Sequence, residues 1–441
     1  MRNKYALGCF LFGLGCQLQI VASLSFTELF SLLMAPCIIS SEWYHMKKNG
    51  ILPFFLLSVL TFIGCIVACV FNHTEPLFVL RGLAVTSILP CAIVTSHWML
   101  RRDPAGFKWM IVGGVASSFL CTFIFQKSVE VSIASQGMGG SSARGIMAGA
   151  VYWKNRITGL LSAPIRGWYL QCPLWISFCV PLFLSGFSLL VTASGRGSAL
   201  CALATAFMVL IGGKKQRTMQ RIGRHFVIVL FVGLMLSLAY KAFYTYAAPK
   251  GILGEESRKK YERQTHGDTS LGKLLLGGRM EAFCGLLAAV DRPIVGFGPW
   301  AKDEKGYTAE FLYKYGTVED YNTYKKEEAY RQYSGYAMIN CHSHITMFWV
   351  WYGIFGLLFW LYVIYVILRY IRTDCWAVPQ WYMWLACSAP SYIWDVCFNP
   401  LDNRVGSMLF VVACLMARAF RLGRVQLPWE MIREIEETER K

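Results

Sequence analysis

Three residues have the type and setting for chemistry on an anionic substrate. Arg196 lies in TASGRGSAL, at the mouth of an apolar run. An arginine at membrane depth costs about 2.5–3.5 kcal/mol at the centre of a bilayer and less near the interface. Gly195 and Gly197 flank it and would let a ligand approach the backbone. Arg279 lies in GGRMEAFCGLLAAV, where two glycines precede a short amphipathic helix. Unsatisfied N–H groups make such a helix start an anion site, and a guanidinium adds a planar fork suited to phosphate oxygens. His342 lies in NCHSHITMFWVWYGIFG, where a long polar segment runs into an apolar one. The positive end of the following helix disfavours imidazolium, and a neutral ring can take a proton from a hydroxyl.

Each residue also has a plainer reading. Arg196 would serve as a snorkelling anchor, Arg279 as a solvated loop charge, and a lone histidine is more often structural. His344, two residues on, is an alternative to His342. Arg81, near the end of another apolar run, is a secondary site candidate. Between Arg279 and His342 the chain is dense in tyrosine: Tyr307, Tyr313, Tyr315, Tyr321, Tyr324, Tyr330, Tyr333 and Tyr336. Such rings stack on sugars, and they equally form an interfacial aromatic belt.

The elements that must position these residues follow from composition. The chain has 441 residues, 55% hydrophobic and 16% charged. A soluble domain carries about 25% charged residues, so much of this surface is expected to meet lipid. Sixteen cysteines occur without CxxC or zinc spacing, so no metal site is indicated. Most sit in apolar runs as small buried hydrophobes. The net charge of +17 reads as basic cytoplasmic loops rather than as nucleic-acid binding. The first apolar run lacks a small-residue cleavage site and is expected to be a retained span.

Runs long enough to cross a bilayer fall near 5–23, 26–40, 51–71, 77–97, 107–126, 169–192, 198–213, 226–244, 345–369, 377–397 and 405–420. Residues 214–225 (KKQRTMQRIGRH) carry five Lys/Arg and no acid, a cytoplasmic signature. Segment 245–341 has 14 Lys/Arg against 13 Asp/Glu and is too long for a connector. With 214–225 inside, 245–341 lies outside, and Arg196 lies at the outer end of its helix. Parity then requires one more crossing, for which the small-residue stretch 131–153 is the candidate. The expected architecture is an all-α polytopic membrane protein of about twelve spans. It divides into an N-terminal bundle (1–244), a large, partly helical periplasmic loop (245–344), C-terminal spans (345–420) and a cytoplasmic tail (421–441).

These residues resemble a known family. His342-Ser343, nine residues, Gly353, two residues and Gly356 reproduce the spacing H-[S/N/Q]-x9-G-x-x-G, which looks like the motif ending the periplasmic loop of O-antigen ligases and bacterial polysaccharide polymerases. Arg279 with PIVGFGPW is similar to the family's R…P-x-x-G-x-G. Ser194-Gly195-Arg196-Gly197 resembles its S-R-G, with a glycine inserted before the arginine. The family's P-N after the fifth span is missing; Pro164 is followed by Ile165.

The resemblance implies a glycosyltransferase of the bacterial inner membrane, with its site facing the periplasm and with neither metal nor cofactor. Its partners would be an undecaprenyl-pyrophosphate-linked glycan donor and a lipid A-core or glycan acceptor. Arg196 and Arg279 would hold the pyrophosphate. His342 would activate the acceptor hydroxyl, with inversion at the anomeric carbon. Gly353 and Gly356, ~15 Å below His342 on a continuous helix, would serve close helix packing. A polymerase joining repeat units and a ligase with a protein acceptor share these motifs. A transporter or flippase would instead show paired charges in mid-membrane and internal repeats; Arg81 and Asp395 are the charges read from the sequence, and no repeat is found. A Cys284–Cys341 disulfide is a further expectation, set by an oxidising compartment.

Overall fold

The computed structural model describes residues 5–15, 19–21, 24–123, 242–252, 258, 261–262, 280–307, 338–339, 341, 343–374, 377–398 and 404–426. The expected crossings at 131–153, 169–192 and 198–213, and nearly all of 226–244, lie outside the described residues. So do the far tail and most of the large loop. The described residues are mostly helical.

Helix α1 spans Ala6–Gly15. A minute antiparallel hairpin follows, β1 Gln19–Val21 and β2 Leu24–Ser25. The expected first span over 5–23 is therefore replaced by a ten-residue helix and a hairpin. At about 1.5 Å per residue that helix reaches only half-way across a ~30 Å hydrocarbon core. Helix α2, Phe26–Asn49, starts where the expected run 26–40 does and continues to a capped end at Gly50. The Ser25 hydroxyl accepts from the Glu28 N–H, Glu28 accepts from the Ser25 N–H, and Gly50 closes the far end in the left-handed conformation.

Helices α3 (Leu52–Phe71) and α4 (Pro76–Arg102) each start with proline in the first turn, where its missing N–H costs nothing. Helix α5 is Phe107–Phe123 and α6 is Met280–Asp291. Helix α7 is His344–Arg369, with a π turn over Tyr370–Asp374. Helices α8 (Pro379–Phe398) and α9 (Arg404–Arg421) complete the described chain. By length and composition, three stretches among the described residues can cross a membrane: α3, α4 and His344–Asp374. The third is broken, as shown below, and its part after the break, 354–374, reaches roughly 30 Å unaided.

Helix α3 shows the two-sided character of a span. Phe54, Cys65 and Ala68 are buried, and Phe54 stacks on Phe359 with ring centroids 5.3 Å apart. Ile63, Ile66, Val67 and Val70 stay exposed. An apolar row left bare along a long helix is what lipid covers.

The basic residues mark one end of the bundle. Lys47 and Lys48 close α2, Arg101 and Arg102 close α4, and Arg418 and Arg421 close α9. The ends are tied together: Arg101 grips Glu42 through Nε (3.0 Å) and Nη2 (2.5 Å), and His97 contacts the same carboxylate at 3.0 Å. Arg424 donates to the Lys48 carbonyl at 3.2 Å, and Arg421 meets the buried Asp374 at 2.7 Å. A further buried pair, Glu28 with Arg404 at 3.2 Å, joins α2 to α9. The sequence reading did not anticipate these buried pairs; it singled out Arg81 and Asp395. A carboxylate in an apolar run is tolerated when its partner arrives from another helix, and that partner is invisible in the run itself.

Candidate functional site

The site is built around an interruption in α7. Gly353 has φ 64° and ψ −147°, a conformation essentially closed to residues with a side chain. The break releases the carbonyls of Val350 and Trp351 from the helical ladder. Segment 293–298 takes them up: the Phe297 N–H donates to Val350 at 2.6 Å, and the Gly298 N–H to Trp351 at 3.1 Å. The N–H of Ile354 donates back to the Ile294 carbonyl at 3.0 Å. The Trp349 indole donates to the Pro293 carbonyl at 3.0 Å. A β-carbon on Gly353 would run into the Ile294 carbonyl, and one on Gly296 would lie 2.7 Å from the Gly353 nitrogen. Both glycines are required because two backbones touch there.

The chain folds back at this break. Phe348 packs on Trp360 at 5.4 Å and on Phe359 at 6.4 Å, and the His344 ring lies 4.6 Å from Trp360. An unbroken helix would hold His344 and Trp360 roughly 24 Å apart at about 1.5 Å per residue. The expected single span over 345–369 is thus a helical hairpin with arms 344–352 and 354–369. Gly353 does not lie deep below the histidine motif in a plain helix contact. It is the apex on which a segment of the large loop docks.

Ser343 starts the first arm. Its hydroxyl oxygen accepts from the Thr346 N–H at 3.3 Å, and the hydroxyl donates to the Val396 carbonyl of α8 at 3.2 Å. The motif's serine therefore caps one helix and ties it to another. His344 is 3% exposed and packs on Trp360. In this conformation it fills space in the core and presents no open face to an acceptor. His342 lies outside the described residues, between the buried Cys341 and Ser343. Arg196 and Arg279 also lie outside them; Arg279 immediately precedes α6. Arg81 is exposed on α4, next to Gly82, whose absent side chain makes room for Pro299.

The docked segment is fastened to the end of the bundle remote from the basic residues. Arg292 donates to the Asn72 side chain, and Asn72 donates to the Gly296 carbonyl at 3.2 Å. Lys302 meets Glu75 at 2.7 Å. The Ile339 N–H donates to the Ala301 carbonyl at 2.9 Å, tying the docked segment to the stretch just before the histidine motif. Trp300 stacks on Phe78 (6.3 Å) and meets Trp351 at a tilt (4.6 Å).

Of the tyrosines read as either a sugar platform or an interfacial belt, only Tyr307 is described. It is buried, its hydroxyl donates to Asp291 at 2.5 Å, and its ring meets Phe297 edge-on. It staples the loop instead of lining it. Burial, and then the bond to Asp291, push its phenol up. Hydrogen bonds from Lys305 and Tyr307 hold the Asp291 carboxyl below the usual range. The expected Cys284–Cys341 disulfide is not formed. Both residues are buried thiols, with Cys341 packed against Gly285, and burial pushes the Cys341 thiol up.

A multi-pass bundle with a loop segment wedged into a broken helix defines the class: a membrane protein with irregular backbone held where protein satisfies it. The model of the family described as O-Antigen ligase matches residues 180–361, which supports recognising the chain within the O-antigen ligase and polymerase family. The match includes Arg196, Arg279, the docked segment, His342 and Gly353. No curated relative and no solved structure matches the chain. The sequence reading missed the joining of the two glycine motifs. Its signal was available: glycines paired in both segments, of which Gly296, Gly353 and Gly356 sit where backbone meets backbone.

Proposed function

We propose that this protein is an O-antigen ligase-like glycosyltransferase moving a glycan from undecaprenyl pyrophosphate to an acceptor hydroxyl, a sugar of lipid A-core. The observation that carries the reading is the docking of 293–298 on the Gly353 break. It makes one rigid unit of the segment that follows Arg279 and the arm that follows His342. Segments more than fifty positions apart in sequence are thereby held in fixed relation, and each adjoins one of the two motifs, which supports a transfer reaction that needs them positioned together.

In this reading His342 accepts the proton of the acceptor hydroxyl as its oxygen bonds to the anomeric carbon. The bond from that carbon to the pyrophosphate oxygen breaks, and undecaprenyl pyrophosphate leaves. Arg196 and Arg279 take up the charge that develops on the leaving group, by donors already oriented before the reaction. Pyrophosphate is a good leaving group, and two guanidinium groups supply the positive charge that a metal would otherwise bring. Direct attack inverts the anomeric configuration.

The test is reconstitution in vesicles with a lipid-linked glycan donor, and with lipid A-core, free glycan and a peptide offered separately as acceptors. Transfer to lipid A-core, insensitive to chelators, is the expected result. Transfer only to another glycan would identify a polymerase, and transfer only to the peptide a protein-directed enzyme. No transfer to any of them, with donor movement across the bilayer, would overturn the enzyme reading in favour of a flippase.

A further inference from the structure

We infer that α6 lies flat in the interfacial zone of the bilayer, with Leu286, Val290 and Ile294 immersed among lipid. The first two are four residues apart, and so share a face of the helix. Helical turns continue past its end, since Arg292 N–H donates to the Ala288 carbonyl at 3.4 Å and Gly296 N–H to the Arg292 carbonyl at 3.1 Å. Ile294 therefore extends the same row. These residues are 39%, 62% and 69% exposed, whereas Cys284, Ala288 and Ala289 on the other side are fully buried. The helix is apolar on both faces, and among the described residues protein covers only one of them.

What covers the bare row is indicated by its neighbour. The exposed row of α3 ends in Val70 and Phe71, 70% and 73% exposed. The next residue, Asn72, is bonded to Arg292. The lipid-facing row of a span thus runs directly into the bare row of α6. Trp349 marks the same level: its indole is pinned to the Pro293 carbonyl beside Ile294, an arrangement suited to the head-group boundary, where tryptophan is enriched. Asp291, Arg292 and Lys305 sit at the end of the helix, where charges stay hydrated while the apolar row sinks about 5–10 Å into the boundary.

The consequence rests on the proposed function. Arg279 immediately precedes α6 in sequence, so the proposed donor-binding residue adjoins an interfacial helix. A lipid-linked pyrophosphate presents its charge at the height of lipid head groups.

The experiment uses the full chain reconstituted in phosphatidylethanolamine–phosphatidylglycerol vesicles. A nitroxide-bearing non-canonical residue is placed in turn at Leu286, Val290 and Ile294, with Val70 as the lipid-facing control and Glu304 as the aqueous one. Power saturation then compares oxygen, which concentrates in lipid, with a water-soluble nickel chelate. At the three α6 positions oxygen is expected to dominate, as at Val70, and the nickel chelate at Glu304. Dominance of nickel at the α6 positions, or exclusion of both agents by covering protein, would overturn the inference. In parallel, the triple variant Leu286→Ser, Val290→Ser, Ile294→Ser is expected to raise the KM for the lipid-linked donor about tenfold, with kcat little changed. Labels that report lipid while the triple variant keeps a normal KM would uphold the membrane placement and show that it does not set donor binding.

Discussion

The Ile354 N–H donates to the Ile294 carbonyl at 3.0 Å, across a break in the helix that Gly353 alone makes possible. In an uninterrupted helix Ile354 would donate to Val350; here Val350 receives Phe297 at 2.6 Å. Ladder bonds of one helix have been exchanged for bonds between two segments. None of these backbone groups is left unsatisfied, which a lipid environment demands.

Gly353→Ala should separate these segments. A side chain in this backbone region costs about 1–3 kcal/mol, and the new β-carbon meets the Ile294 carbonyl. Transfer should fall about a hundredfold or more, the scale of loss that a 1 Å displacement of catalytic groups causes. Protease protection of the loop in reconstituted protein, measured beside activity, checks the cause. Unchanged protection and activity would mean that the junction positions nothing.

His342→Ala should lower transfer by about 10²–10⁴-fold, the range for losing a general base, with donor binding retained. His344→Ala should act differently. Removing its contact with Trp360 should lower thermal stability first and activity only as the fold weakens. Comparing donor binding, melting and turnover in the two variants separates the roles.

Arg279→Lys retains charge and loses the planar fork. If the guanidinium holds pyrophosphate oxygens through paired bonds, the lysine variant should remain at least tenfold impaired at saturating acceptor. A near-normal rate would reduce the contact to long-range charge.

The Asp291–Lys305–Tyr307 staple should depend on pH in a defined direction. Hydrogen bonding lowers the carboxyl pKa in the fold, so its contribution is complete above the ordinary carboxylate value near 4. It is lost as pH falls through the lower folded value. Proteolysis of the loop by an acid-tolerant protease should accelerate below about pH 4, modestly because Asp291 is exposed. Asp291→Asn should be cleaved faster at neutral pH and lose that dependence.

Local chemistry was legible in the sequence to the extent that it is local. The apolar runs near 51–71, 77–97, 377–397 and 405–420 became α3, α4, α8 and α9 within a few residues. Hydropathy over about 20 residues decides such helices, because lipid requires each to close its own hydrogen bonds. Ser25 and Glu28 likewise carry the capping pattern that starts α2.

Tertiary structure alone decided what lies between and across those helices. Glu28 and Arg404 each look costly in an apolar setting until a partner helix supplies the other. Tyr307 could be read as sugar platform or interfacial belt until Asp291 and Phe297 closed over it. Gly353 sits in a run that reads as continuous helix, and hydropathy gives no reason for it to break. The reason is non-local: a break leaves carbonyls bare, and segment 293–298 carries the N–H groups that satisfy them. Local hydropathy set the helices at α3, α4, α8 and α9, though not over 5–23, where a short helix and a hairpin form. The docking of one motif on the other decided where a helix ends, turns back and carries the histidine motif.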